Sequence, residues 1–433
     1  MGRKRSYTPL NVFLNSRLVG QLVRESSGGV SFAYARDWLN WEHRMPVSLS
    51  LPLQENRYSG APVMAVFDNL LPDSDVIRRR VAERVGAKGV DAFSLLSQIG
   101  RDCVGALQFL LDGQEPQPMS ELTGEPVDEA QIGAILSDLD LAPLGIRREN
   151  DFRISVAGAQ EKTALLLKDG QWIEPTGTTP TTHIIKPQIG RLPNGMDLSD
   201  SVENEYLCLK LMEAFGLRAA NVEMAKFGDK KALVVERFDR RWTSDGRLIR
   251  LPQEDCCQAL SVMPTQKYQN EGGPGISGIM ELLLGSDDPN KDRYDFFKAN
   301  VLFWLLGATD GHGKNFSVSL LPGGRFHMTP LYDVLTVQPT VDARQIERKY
   351  FKLAMNFGNS NHYKVANIVG RHIVETGVQS GLSRAVVQGL FEELQETSHA
   401  IVEATFNQLP EGFPEALLAS IDGALKARLH LLN

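Results

Sequence analysis

The chain has 433 residues, 42% of them hydrophobic and 23% charged, the balance of an ordinary globular protein large enough for two or three domains. Its 46 Lys and Arg against 53 Asp and Glu leave a net charge of −7, which excludes a chain built chiefly to coat nucleic acid but leaves a local basic patch open. Four cysteines without a C-x-x-C pair and no apolar run of the ~18 residues that span a bilayer point to a cytoplasmic protein with reduced thiols and no membrane partner.

Met1-Gly2-Arg3-Lys4-Arg5-Ser6 fits the myristoylation pattern, yet no amphipathic helix supports it, so it reads as a disordered basic end. Residues 10–14 and 17–23 alternate as strands do, and Gly28-Gly29 turns into a strand over 30–34. Ser48 to Leu53 alternates again until Pro52 stops it, giving a small antiparallel sheet or partial barrel. Asp73-Ser74-Asp75 offers a cap for a helix through Arg84. On that helix, Arg78-Arg79-Arg80 is either a contact for an anion or partner, or a solvated face. A helix over 91–99 and a strand over 104–111 follow. Residues 113–129, with Pro116, Pro118 and Pro126, read as a linker.

Beyond the linker the pattern predicts a helix over 128–141, a polar connection over 143–150 and strands over 152–156, 162–167 and 182–186. A helix over 199–215 comes next, capped by Ser199 or Asp200 and stopped at Gly216, then strands over 219–227 and 231–238. That order is the order of a kinase small lobe. From Leu251 onward, apolar stripes of 3.6-residue period predict helices over 276–284, 294–307, 378–397 and 414–432. The expected domains are 1–125, β-rich; 126–250, a small lobe; and 251–433, a helical lobe.

The chemistry concentrates at Asp310-Gly311-His312-Gly313-Lys314-Asn315 and at Asp333, reached across a hairpin at Pro322-Gly323-Gly324. An Asp, an Asn five residues later and a second Asp is the spacing of a protein-kinase site. There the first carboxylate takes the acceptor proton, and the amide oxygen and second carboxylate suit Mg²⁺. A pair of Asx turns would give the same spacing. His312, with no second histidine at ligand spacing, suits a structural or phosphate-proximal role.

Upstream, the loop Val156-Ala157-Gly158-Ala159-Gln160-Glu161-Lys162 has small residues that let backbone N–H groups approach phosphate oxygens, but it matches neither Gly-rich fingerprint. Lys186 ends an apolar strand, from which a lysine either snorkels to water or reaches nucleotide phosphates and pairs with a helix glutamate. Glu203 and Glu205 are both candidates for that glutamate, or they complement the helix dipole. Glu236-Arg237-Phe238 stands where a hinge would bond adenine through its backbone; the cluster Arg237, Arg240, Arg241 reads equally as surface charge.

Together, residues 151–162, Thr182-His183-Ile184-Ile185-Lys186, Glu236-Arg237-Phe238-Asp239-Arg240, residues 309–315 and Phe67-Asp68-Asn69-Leu70-Leu71-Pro72-Asp73-Ser74 resemble the HipA family of bacterial serine/threonine kinase toxins. The resemblance implies an α+β, two-lobed protein-kinase-like fold related to phosphoinositide kinases, with an added amino-terminal domain. It implies Asp310 as the base, Asn315 and Asp333 on Mg²⁺, and ATP held by the 156–162 loop, Lys186, the 236–238 segment, His312, Lys314 and Tyr332. Ser155 matches the family's autophosphorylated serine; phosphate there would add about −1.5 to −2 charges beside a phosphate-holding loop and switch the enzyme off. The resemblance further implies glutamyl-tRNA synthetase as protein substrate, growth arrest and persistence as outcome, and a dimeric HipB-like antitoxin carrying two toxin chains. It also implies operon repression through operator DNA, with Lys364 and Arg371 as the chain's own DNA contacts. Rival readings are a catalytically silent corepressor and a metal-dependent phosphohydrolase.

Overall fold

The computed structural model describes residues 9–26, 28–146, 153–158 and 160–433. The basic end at 1–6, Asp151, Phe152 and Ala159 lie outside them. The chain forms two compact units, one of residues 1–187, 225–265 and 318–326 and one of residues 188–224, 266–317 and 327–433. Among the described residues no helix is long and apolar enough to cross a membrane.

Among the described residues the first unit carries a five-stranded and a six-stranded sheet, beside smaller ones. In the first, Leu10–Leu14 is the fourth of five strands, between Arg17–Arg24 and Leu107–Leu111. Asn15 and Ser16 turn the first hairpin at φ 46° and 68°, the left-handed conformation that a two-residue hairpin needs. One face of this sheet packs on the helices Ala61–Asp68, Asp75–Val85 and Ala92–Ile99 through Phe32, Trp38, Phe67 and Phe109, all fully buried. Each such side chain contributes roughly 1.5–3 kcal/mol of burial. Ser74 caps its helix by accepting from the Ile77 amide, and Asp91 accepts from that of Ser94, each ending an otherwise unpaired N–H row.

The stretch 48–53 is not a strand. Its alternation is that of a serine-rich turn: the Ser48 hydroxyl accepts from the Ser50 amide, and the Leu51 amide donates to the Ser48 carbonyl at 3.0 Å, the local pairing by which serine competes with a ladder. Of the arginine run, Arg78 is buried and donates to the Asp68 carboxylate at 2.9 and 3.1 Å and to the Pro72 carbonyl, so it is a scaffold residue. Arg79 is exposed.

The second sheet has six strands, with His183–Pro187 between Lys230–Glu236 and Thr163–Lys168. Its edge strand, Gly124–Pro126, lies inside the stretch expected to be a linker. Asp169 (φ 50°) and Gly170 (φ 79°) close the hairpin from Thr163–Lys168 to Gln171–Pro175. The strand expected over 152–156 shows, among its described residues, a single bridge from Ser155 to Cys103.

The second unit is mainly helical. Pro289–Leu306 is buried along most of its length, Phe296, Phe297, Leu302 and Trp304 fully so, and it ends at Gly307, φ 74°. A Cβ at Gly307 would also lie 2.9 Å from the Phe351 ring, so glycine stops the helix on two counts. The periodic stretch 378–397 breaks at Gly381 (φ 87°) into Gly370–Gln379 and Arg384–Phe406, the second capped by Ser383. Lys298, buried on the central helix, donates to Glu393 at 2.6 Å and ties it to the longest helix.

Candidate functional site

In the first unit the 155–162 loop is anchored by segments far away in sequence. Ser155 is fully buried; its hydroxyl donates to the Leu70 carbonyl at 2.7 Å and its amide to the Asp102 carbonyl at 2.9 Å. Gly158 bridges Pro72 and accepts from the Asp73 amide at 3.1 Å. The Lys162 ammonium folds back to the Ala157 carbonyl at 2.9 Å, and a Cβ on Gly158 would stand 2.3 Å from that nitrogen. Gly158 also has φ 114°, so only glycine fits there. Gln160 donates to the Pro187 carbonyl at 3.1 Å, and Glu161 pairs with Arg80 at 3.3 Å. Burial raises the Glu161 pKa against the opposing pull of Arg80. Val156 is buried.

Lys186 is 7% exposed on its strand, opposite Leu233. Of the expected hinge, Glu236 is exposed and Phe238 half-buried, but Arg237 belongs to the scaffold. Its amide donates to the Thr182 carbonyl at 2.9 Å, and its guanidinium reaches Asp239 at 2.8 Å, Asp102 at 3.3 Å and the Cys103 carbonyl at 2.8 Å. Arg240 and Arg250 also converge on Asp102, at 2.9 and 3.0 Å. The surface-charge reading therefore fails for Arg237 and Arg240, and only Arg241 of that cluster is exposed. Burial works to raise the Asp102 pKa, but the guanidiniums of Arg240, Arg250 and Arg237 more than reverse it and hold the carboxyl well below the usual range.

In the second unit the catalytic-type loop leaves the buried end of Pro289–Leu306 and is fixed at both sides. The Thr309 carbonyl accepts from the Ala354 amide at 2.9 Å and the Gly313 amide donates to the Lys267 carbonyl at 3.3 Å. Gly311 lies under Phe303, where a Cβ would come within 2.5 Å of the ring. The Asp310 side chain is 60% exposed, whereas His312, Lys314 and Asn315 are buried. Asn315 turns its amide nitrogen inward, to the Asp310 carbonyl at 2.8 Å and the Asp333 carbonyl at 3.5 Å. Its oxygen is thereby the atom left to meet a hard cation, the atom type Mg²⁺ takes.

Asp333 has φ 58°, a conformation aspartate tolerates better than most residues. The segment before it is pinned by Leu331, which exchanges backbone bonds with Arg218 and Ala220 at 2.8 Å. Tyr332 donates to the Lys314 carbonyl at 2.7 Å and meets the Ser317 hydroxyl at 2.6 Å, closing the turn that joins Asn315 to Asp333. Glu203 and Glu205 are both buried at the start of Ser201–Ala214.

Sequence reasoning missed Tyr268, whose hydroxyl donates to Asp310 Oδ1 at 2.7 Å; it sits in a Gln- and Gly-rich stretch without periodicity. Lys364 and Arg371 are exposed. Beside them the rings of His362 and His372 stack 3.8 Å apart, and burial, then the charges of His362 and Arg371, lower the His372 pKa.

A family model described as the HipA-like C-terminal domain matches residues 154–402, and one described as the HipA N-terminal domain matches residues 10–110. The chain is 36% identical over 402 residues, 92% of each chain, to "Putative kinase Y4mE" of Sinorhizobium fredii. It is 29% identical over 350 residues, 78% of this chain and 77% of the relative, to the serine/threonine-protein kinase toxin HipA of Shewanella oneidensis. In fold it is similar, at a TM-score of 0.80 and 24% identity over 98% of both chains, to a chain of the solved Shewanella oneidensis complex of HipA, HipB and operator DNA.

Proposed function

Because the chain belongs to the HipA family of serine/threonine kinase toxins, we propose that it transfers the γ-phosphoryl group of ATP to a serine of a translation protein, with glutamyl-tRNA synthetase as the acceptor. The observation that carries this reading is Asn315 bonded through one amide to the backbone of both Asp310 and Asp333. Two Asx turns alone would not require that convergence.

In the reaction the acceptor serine oxygen forms a bond to the γ-phosphorus while the bond from phosphorus to the β,γ-bridging oxygen breaks, releasing ADP; the serine proton passes to Asp310. Asn315 and Asp333 would hold Mg²⁺, which neutralises charge on the phosphates. Lys186, the 156–162 loop and Lys314 are cationic and small residues suited to a polyanionic nucleotide, and Glu236 and Phe238 suit the adenine. The proposed functional segments are residues 1–125, 126–250 and 251–433.

Ser155 is the proposed autophosphorylation site, with growth arrest as the unmodified enzyme's effect in the cytoplasm. The partner is a dimeric HipB-like antitoxin carrying two toxin chains and meeting operator DNA, with Lys364 and Arg371 as this chain's contacts. The Shewanella oneidensis relative solved with HipB and operator DNA supports the antitoxin and operator as partners. The test is Asp310→Ala with radiolabelled ATP and glutamyl-tRNA synthetase: transfer is expected to vanish with the melting temperature unchanged, and labelled acceptor at the wild-type rate would refute it. Free phosphate in place of phosphoprotein would assign a hydrolase instead.

A further inference from the structure

We propose that Tyr268 is a positioning residue for the catalytic base, holding the Asp310 carboxylate in the orientation in which it receives the acceptor proton; this rests on the assignment of Asp310 as the base. The Asp310 side chain is 60% exposed, and an exposed aspartate samples several rotamers unless something fixes it. A hydroxyl at 2.7 Å from Oδ1 is such a restraint, and a charge-assisted one. On the far side, His312 Nε2 stands 3.9 Å from Oδ2, beyond hydrogen-bond distance. Of these two neighbours, the Tyr268 hydroxyl is the one within hydrogen-bond distance of the carboxylate.

The tyrosine is itself held, which is what lets it hold another group. Its ring meets that of His312 edge to face, with centroids 5.0 Å apart, and the Lys267 ammonium lies 5.5 Å from its centroid, within cation–π range. The backbone on either side is tied as well. The Lys267 carbonyl accepts from the Gly313 amide at 3.3 Å, and the Tyr268 carbonyl from that of Gly273 at 2.9 Å. One residue on, the Gln269 side chain accepts from the Asn356 amide at 2.9 Å. A Cβ on Gly273 would lie 2.3 Å from the Gln266 carbonyl oxygen, so the close turn behind the tyrosine depends on glycine. Residues 267 and 268 thus brace the 310–313 loop twice, once through backbone and once through the hydroxyl.

The test is Tyr268→Phe, which keeps the ring and its seat on His312 and deletes only the oxygen. Steady-state transfer from ATP to glutamyl-tRNA synthetase is expected to lose roughly tenfold to a hundredfold in kcat, with KM for ATP, the Kd for ATP and the melting temperature unchanged. Tyr268→Ala, which removes the ring as well, should lose more. An unchanged kcat in Tyr268→Phe overturns the proposal. So does a lower KM for the acceptor at constant kcat, which would make the hydroxyl a blocking group. A loss of ATP binding that matches the loss of kcat also overturns it, as general loosening. Asp310→Asn is measured alongside: if it still transfers phosphate, the base assignment itself falls; if it is inert while Tyr268→Phe is normal, only the role of Tyr268 falls.

Discussion

The Ser155 hydroxyl donates to the Leu70 carbonyl at 2.7 Å from a position with no solvent exposure. The two residues are 85 apart in sequence, so the 155–162 loop is anchored by the amino-terminal part of the chain. A phosphoryl group cannot be added to that oxygen while the bond stands, because the side chain is sealed from solvent and a dianion there would lose its hydration.

Replacing Ser155 by Asp puts a carboxylate in the same sealed place, so the loop must leave. Ser155→Asp is expected to weaken ATP binding at least about tenfold, an effect of roughly 1.4 kcal/mol, and to open residues 153–162 to protease. Ser155→Ala, which loses one buried hydrogen bond worth about 1 kcal/mol, should bind ATP nearly normally. Calorimetric titration with ATP and limited proteolysis read both, and equal affinities for the two variants would contradict the expectation.

Glu254 predicts a pH dependence of stability. It is 1% exposed, and its Oε1 accepts from the Leu49 amide at 2.7 Å. Burial above all pushes its pKa up to about 8; the bonds from Leu49 and Ser48 offset only part of this, and Asp255 adds to the rise. The folded state therefore holds a proton that the unfolded chain, titrating near 4.5, has released. Stability from this group is complete below pH 4.5 and declines as pH rises toward about 8, with a slope of at most about 1.4 kcal/mol per pH unit. Glu254→Gln keeps the shape and removes the titration. Denaturant melts from about pH 5 to pH 8.5 should show the variant gaining on the wild type as pH rises; parallel curves would exclude Glu254 as a contributor.

Asp102 is the common acceptor of three buried guanidiniums. Asp102→Ala removes the shared carboxylate and leaves Asp239, the Thr181 hydroxyl and backbone carbonyls as partners, and removing one partner from such a cluster costs about 3–5 kcal/mol. Urea melts should show that loss. They should show it equally at low and high salt, since buried pairs are little screened; a loss that shrinks markedly in salt would place the network in contact with solvent.

What could be read in the sequence was what the sequence encodes locally. Asp310, Asn315 and Asp333 were legible because a kinase-type loop and hairpin fix their spacing, and Asp169-Gly170 because left-handed turns demand those residues. Ser48 to Leu53 misled because alternating Ser and Leu reads as a strand until the hydroxyls are seen pairing with their own backbone. Arg237 and Arg240 misled because arginine is ordinarily exposed, and their carboxylate, Asp102, is 135 residues away from Arg237. Tyr268 could not be found at all: its partner is 42 residues downstream, and no local pattern marks a tyrosine as the support of a carboxylate.

The joint between residues 102–105 and 237–250 has a consequence for cutting the chain. Asn15 brackets the Arg250 backbone, donating to its carbonyl at 2.7 Å and accepting from its amide at 2.9 Å. Asp239 accepts from the Gly105 amide at 2.6 Å. A fragment beginning at residue 126 would expose apolar strand faces and leave three arginines without Asp102, and so should be insoluble when made alone. A chain nicked between residues 113 and 123 keeps every one of those bonds. The two pieces should remain together through a gel-filtration column, and the short piece, co-expressed, should restore solubility to the long one.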